Sequence, residues 1–153
     1  MSRFECFEPA VQLGMHESEL YLAFAFMTNA PTRQTVLLAE DHADTRAMYA
    51  EMFRSMSFEV LEADRGDRAL ELARQRTPSI VVTDLILPGL TGLELATALK
   101  GDAATRGIPI LCLSGYADGE TSAAAAASGI DRLIVKPCLP DELVALAREL
   151  MDS

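Results

Sequence analysis

From residue 34 to residue 152, short apolar runs alternate with segments of helical periodicity. This alternation restricts the fold more than any other feature of the chain. The runs Val36-Leu37-Leu38-Ala39, Ile80-Val81-Val82-Thr83 and Ile108 to Leu113 are nearly continuous in apolar side chains. Strands of that kind are expected when helices cover both faces of a sheet. Strict alternation with helices joins them as right-handed βαβ units, so the sheet is parallel and the class is α/β. Predicted strands are 35–39, 59–63, 80–83, 108–113 and 133–135. Phe58-Glu59-Val60-Leu61-Glu62 is more polar than the others, which suits a sheet edge.

Predicted helices cover about 44–56, 68–76, 92–101, 120–128 and 141–151. In the first, Met48, Met52 and Met56 recur at helical spacing and are expected to pack in the core. Asp44 is the better candidate for its cap, ahead of Asp41. Thr77-Pro78 stops the second helix and Gly129 closes the fourth. Leu95 and Leu99 share one face of the third; Leu143, Leu146, Ala147 and Leu150 share one of the fifth. The fourth helix contains Ala123 to Ala127, with strong helix propensity and no large apolar anchor. Two readings fit it: plain alanine enrichment, or an element that shifts easily.

The chain has 153 residues, half of them hydrophobic, enough for one domain with a sizeable core and a short appendage. Residues 34–153 form that domain. Residues 1–33, which hold five of the nine aromatics, are expected to be a poorly ordered or loosely docked arm. A formal net charge of −10 with no basic stripe argues against direct binding of nucleic acid. Cys6, Cys112 and Cys138 are odd in number and widely spaced, which fits neither a disulfide framework nor a zinc site. No apolar run is long enough to span a bilayer and no secretory signal stands out, so the expected location is the cytoplasm.

Four strand ends carry the chemistry. The first predicted strand runs into Glu40-Asp41, the third into Asp84 and the fifth into Lys136-Pro137, while the fourth runs into Ser114-Gly115. In an open parallel sheet the carboxyl ends of the strands converge on one edge, where ligands bind. Three carboxylates brought together there repel one another and need a cation to stay ionised. An all-oxygen set suits a hard ion such as Mg²⁺. Lys136 is one of two lysines against eleven arginines, so a point charge is favoured at that end over a planar fork. Acids, a cation, a lysine and a hydroxyl suffice to hold a transferring phosphoryl group, and an aspartate can itself be the nucleophile. His42 reads as a solvent-facing loop residue, and His16 lacks the helical context of a phosphohistidine.

Together, Glu40-Asp41, Asp84 with Pro88 and Gly92, Ser114-Gly115 and Lys136-Pro137 resemble the receiver domain of two-component response regulators. The resemblance implies a flavodoxin-like fold of five parallel strands in the order 2-1-3-4-5, with helices on both faces. It implies that Asp84 accepts a phosphoryl group from a sensor histidine kinase or a phosphotransfer protein. Mg²⁺ would be held by Glu40, Asp41, Asp84 and the backbone carbonyl of Ile86. Ser114 would bond a phosphoryl oxygen, Lys136 would pair with the phosphate, and the Lys136–Pro137 bond would be cis. The expected protein is a single-domain response regulator that signals through a downstream protein partner, with self-association left open. It is a switch rather than an enzyme, and no membrane or nucleic-acid partner is expected. The other readings are a receiver-shaped module that is never phosphorylated, and a Mg²⁺-dependent aspartyl phosphohydrolase. The hydrolase pattern wants a second aspartate two residues after Asp84, where this chain has Ile86.

Two departures matter. The family's usual aromatic three residues before the lysine is Leu133 here, which removes a rotating ring from the output route. Ile86 and Tyr116 flank the approach of a water to a phosphorylated Asp84, so self-hydrolysis is expected to be slow. Cys138 stands where the family often has Phe, and no function follows from it.

Overall fold

The computed structural model describes residues 33–116 and 118–153, together with His16, Ser18 and Glu19. The chain divides into two units, 1–32 and 33–153. In the first, the His16 N–H donates to the Glu19 carboxylate at 3.1 Å. The expectation for the N-terminal arm otherwise lies outside the described residues.

The second unit is a five-stranded parallel sheet. In chain order its elements are β1 (Thr35–Ala39), α1 (Ala43–Ser55), β2 (Glu59–Ala63), α2 (Gly66–Arg76) and β3 (Ile80–Asp84). They continue with α3 (Gly92–Lys100), β4 (Ile110–Ser114), α4 (Gly119–Ser128), β5 (Arg132–Val135) and α5 (Pro140–Asp152). The strand order is β2-β1-β3-β4-β5, the flavodoxin-like order expected. Polar β2 is an edge, with Glu59 and Glu62 exposed. Central β3 and β4 are buried at every residue, as their apolar runs require.

Alternation along the strands divides the core. Val36, Leu38, Ile80, Val82, Leu111 and Leu113 face one side, where α1 and α5 cover them. Leu37, Val81, Ile110 and Cys112 face the other, beneath α2, α3 and α4. Leu95 and Leu99 of α3 are fully buried on that second side. Each such side chain contributes about 1.5–3 kcal/mol by leaving water. In α4 the single buried residue is Ala125, so that helix has far less apolar attachment.

Several local expectations need correction. Met48 and Met56 are 46% and 41% exposed, and Met52 alone of the three packs against the core. The face α1 turns inward is Tyr49, Ala50 and Phe53, one step around from the methionines. Phe53 has no exposure and meets Phe58 edge-on at 5.7 Å, which fixes that rotation. The helix is capped by His42 rather than Asp44: it starts at Ala43, and Asp44 falls in the first turn, where its charge suits the helix dipole. Strand β4 begins at Ile110 rather than 108, because Pro109 has no N–H to give the ladder. It also runs on to include Ser114, as β3 includes Asp84.

Candidate functional site

The pairing register brings the expected residues to one edge. Ala39 lies opposite Thr83, so Glu40, the next residue, is level with Asp84. Asp84 pairs with Leu113, and Ser114 with Val135. Lys136 is thus one step beyond the level of Ser114. Backbone bonding continues past the strands: Glu40 N–H to the Ala63 carbonyl at 3.0 Å, Leu85 N–H to Leu113 at 2.8 Å, Lys136 N–H to Ser114 at 2.7 Å. The site residues therefore hang from an extended ladder and not from free loops.

Glu40 and Asp84 are 3% and 7% exposed, whereas Asp41 faces solvent. One carboxylate oxygen from each of the three can be chosen so that all lie within 4.8 Å of one another. Lys136 Nζ lies 2.7 Å from Asp84 Oδ1 and 3.6 Å from Glu40 Oε2. Neither oxygen has a well-aligned hydrogen-bond donor, and the lysine's contact with Asp84 is the closer of the two. Burial pushes the Glu40 carboxyl up from 4.5 to about 7, helped by the neighbouring Asp84 carboxylate. The His42 N–H, at 3.1 Å from Glu40 Oε1, and Lys136 oppose that rise without cancelling it. For Lys136, burial alone would lower the pKa. Its contacts with Asp84 and Glu40 outweigh burial, and the net direction is up.

The loop after Asp84 is closely fitted. The Gly92 N–H donates to the Leu85 carbonyl at 2.8 Å, and a Cβ at Gly92 would come within 2.5 Å of the Asp84 carbonyl oxygen. Gly92 therefore belongs to the site through its absence of a side chain. Ile86 and Tyr116 are 73% and 60% exposed at the rim. The Ser114 hydroxyl donates to the Tyr116 carbonyl, and the Tyr116 N–H returns a bond to Ser114 Oγ at 3.3 Å. The hydroxyl must leave this local pairing to meet a ligand. The Lys136–Pro137 bond is cis.

Two residues that sequence reasoning missed support the site from α1. Tyr49 donates its hydroxyl to the Cys138 carbonyl at 2.8 Å, fixing the segment just after Lys136. Arg46 donates Nη1 to the Glu40 carbonyl at 2.8 Å. Tyr49 could have been found from its place beside the methionine stripe; nothing in the sequence singles out Arg46.

A doubly wound parallel sheet with buried acids and a lysine at the carboxyl edge of its strands places a polar, small-ligand site in a flavodoxin-like frame. The sequence as a whole agrees: residues 36–148 match the model of the response regulator receiver domain. The chain belongs to that family, the receiver domains of two-component systems. It is 34% identical over 118 residues to the phosphate regulon transcriptional regulatory protein PhoB of Pseudomonas aeruginosa, covering 77% of this chain and 52% of that one. It is 34% identical over 116 residues to the DNA-binding response regulator MtrA of Mycobacterium tuberculosis, covering 76% of this chain and 50% of the relative. The chain thus spans about half the length of the curated relatives it matches. Among solved structures, the chemotaxis response regulator CheY4 of Vibrio cholerae superposes with a TM-score of 0.74 at 26% identity. That match covers 78% of this chain and 99% of CheY4.

Proposed function

We propose that Asp84 is the phosphoacceptor of this receiver domain. The observation that carries the proposal is the buried Asp84 carboxylate, 2.7 Å from Lys136 and grouped with Glu40 and Asp41. In the transfer, an Asp84 oxygen attacks phosphorus as the bond from phosphorus to the donor imidazole nitrogen breaks. The electron pair stays on the imidazole, and a mixed anhydride forms on Asp84. Lys136 lies where it offsets charge on the phosphoryl oxygens. Ser114 bonds one of those oxygens once its hydroxyl turns from Tyr116.

The donor set fits a hard divalent cation. Glu40 Oε2 and Asp84 Oδ1 are buried without an aligned donor, and oxygen ligands dominate. Glu40, Asp41, Asp84 and the Ile86 carbonyl would hold Mg²⁺, whose charge would relieve repulsion between the carboxylates and a phosphoryl group. The donor is a histidine kinase or phosphotransfer protein, and the output goes through a protein partner. Two buried free cysteines and an acidic surface favour a cytoplasmic setting. No described helix is long and apolar enough to cross a membrane.

Acetyl phosphate with Mg²⁺ tests the proposal by intact mass. A gain of one phosphoryl group is expected in the wild type and not in Asp84→Asn. Turnover of many phosphates per chain would favour a phosphohydrolase. No adduct and no Mg²⁺ binding would favour an inert interaction module.

A further inference from the structure

Between the two metal-side acids lies a single peptide bond. Its oxygen is the Glu40 carbonyl, and its nitrogen belongs to Asp41. The peptide is planar, so whatever holds that oxygen fixes the plane from which both side chains leave. Strand β1 has already ended at Ala39. The Glu40 N–H still bonds to the Ala63 carbonyl, but the Glu40 carbonyl is met by a side chain instead: Arg46 Nη1, at 2.8 Å from six residues downstream.

Arg46 is itself anchored. Its Nε lies 3.4 Å from Glu62 Oε1 on β2, and the other oxygen of Glu62 takes Arg54 Nη2 at 3.0 Å. The Arg46 side chain is 21% exposed, the least of the three, so this pairing is the less screened end of the network. The planar fork of an arginine suits two acceptors held at a fixed angle, and a lysine ammonium has no such geometry. The His42 N–H, bonded to Glu40 Oε1 at 3.1 Å, shows how tightly the turn is folded on its own acid.

We propose that Arg46 is a positioning residue: it clamps the peptide plane shared by Glu40 and Asp41 to β2, and thereby sets the affinity of the acid cluster for a divalent cation. The role rests on the cation site proposed above and adds to it a determinant outside the ligand set. The clamp contributes through orientation and does not touch the ion. Groups that orient metal ligands without touching the ion change metal affinity by roughly 10-fold or more when lost.

Mg²⁺ titration of the full chain, followed by calorimetry and by the His42 amide resonance, decides the matter. Arg46→Gln is expected to weaken Mg²⁺ binding roughly 10-fold and to shift the His42 amide before any Mg²⁺ is added. Arg46→Lys restores part of the affinity. Arg54→Gln, which removes the outer partner of Glu62 and a long bond to the Val60 carbonyl, controls for general loss of stability and leaves affinity near the wild-type value. Wild-type affinity in Arg46→Gln, or an equal loss in Arg54→Gln, would overturn the clamp while leaving the cation site standing. A wild-type chain that binds no Mg²⁺ would overturn both.

Discussion

Asp84 and Glu40 face each other across the first and third strands, both almost out of water, with one ammonium between them. One positive charge does not neutralise two buried carboxylates, and Glu40 responds by holding its proton up to about pH 7. The linkage has a definite sign. Between 4.5 and about 7 the folded chain keeps a proton on Glu40 that the unfolded chain releases. The Glu40 contribution is therefore complete below 4.5 and is lost as pH rises to about 7. In metal-free buffer, urea midpoints of the wild type relative to Glu40→Gln should fall across that window. Mg²⁺ should flatten the trend, because the cation replaces the proton. At the rim, Ile86→Asn should speed loss of phosphate from the phosphorylated chain about tenfold, equivalent to about 1.4 kcal/mol of barrier. Phosphate release from purified phosphoprotein measures it; an unchanged rate removes Ile86 as the brake. The acids and the lysine were legible because each follows an apolar run, where burial alone gives no reason for a charge. Arg46 was not, since a helix-surface arginine looks the same in sequence whether it holds a carbonyl or points into water. The pairing of the Ser114 hydroxyl with its own loop was equally hidden, because it depends on a turn and not on residue type.

The elements differ sharply in how firmly they are held. Helix α3 buries Leu95 and Leu99, and a capping box between Thr91 and Glu94 starts it. Helix α4 has Asp118 as its cap and Gly129, at φ 94°, as its stop, yet buries only Ala125. Caps and propensity hold the helix together; apolar burial attaches it to the sheet, and there α4 has little. Amide exchange should accordingly find α4 opening at lower free energy than α1, α3 or α5. Equal protection in α3 and α4 would contradict this. The strand assignments other than β2 could be read from apolar runs, and the end of α4 from Gly129, whereas its Asp118 cap shows only in the structure. The α1 face could not: spacing alone favoured Met48, Met52 and Met56, whereas the bulk of Tyr49 and Phe53 decided which side turns inward. Periodicity locates a stripe only to within one position of a helix.

Across the whole domain, the parallel sheet and the position of the site followed from alternation of strand and helix, and the strand order from the family resemblance; the route from site to surface followed from neither. Leu133 of β5 pairs with Cys112 of β4 and packs, half-buried, under the α4 side of the sheet. A leucine there has no polar tip to exchange one partner for another. A signal starting at the proposed acceptor Asp84 would thus have the Ser114–Tyr116 loop and the weakly attached α4 as its open path. All of this depends on Asp84 being the residue that is modified. Borohydride reduction of the acyl phosphate, followed by peptide mass mapping, reads that directly. After treatment with acetyl phosphate and Mg²⁺, the account requires conversion of Asp84 to homoserine, and none when Mg²⁺ is withheld. Conversion at another aspartate or glutamate, or none at all with Mg²⁺ present, would contradict it.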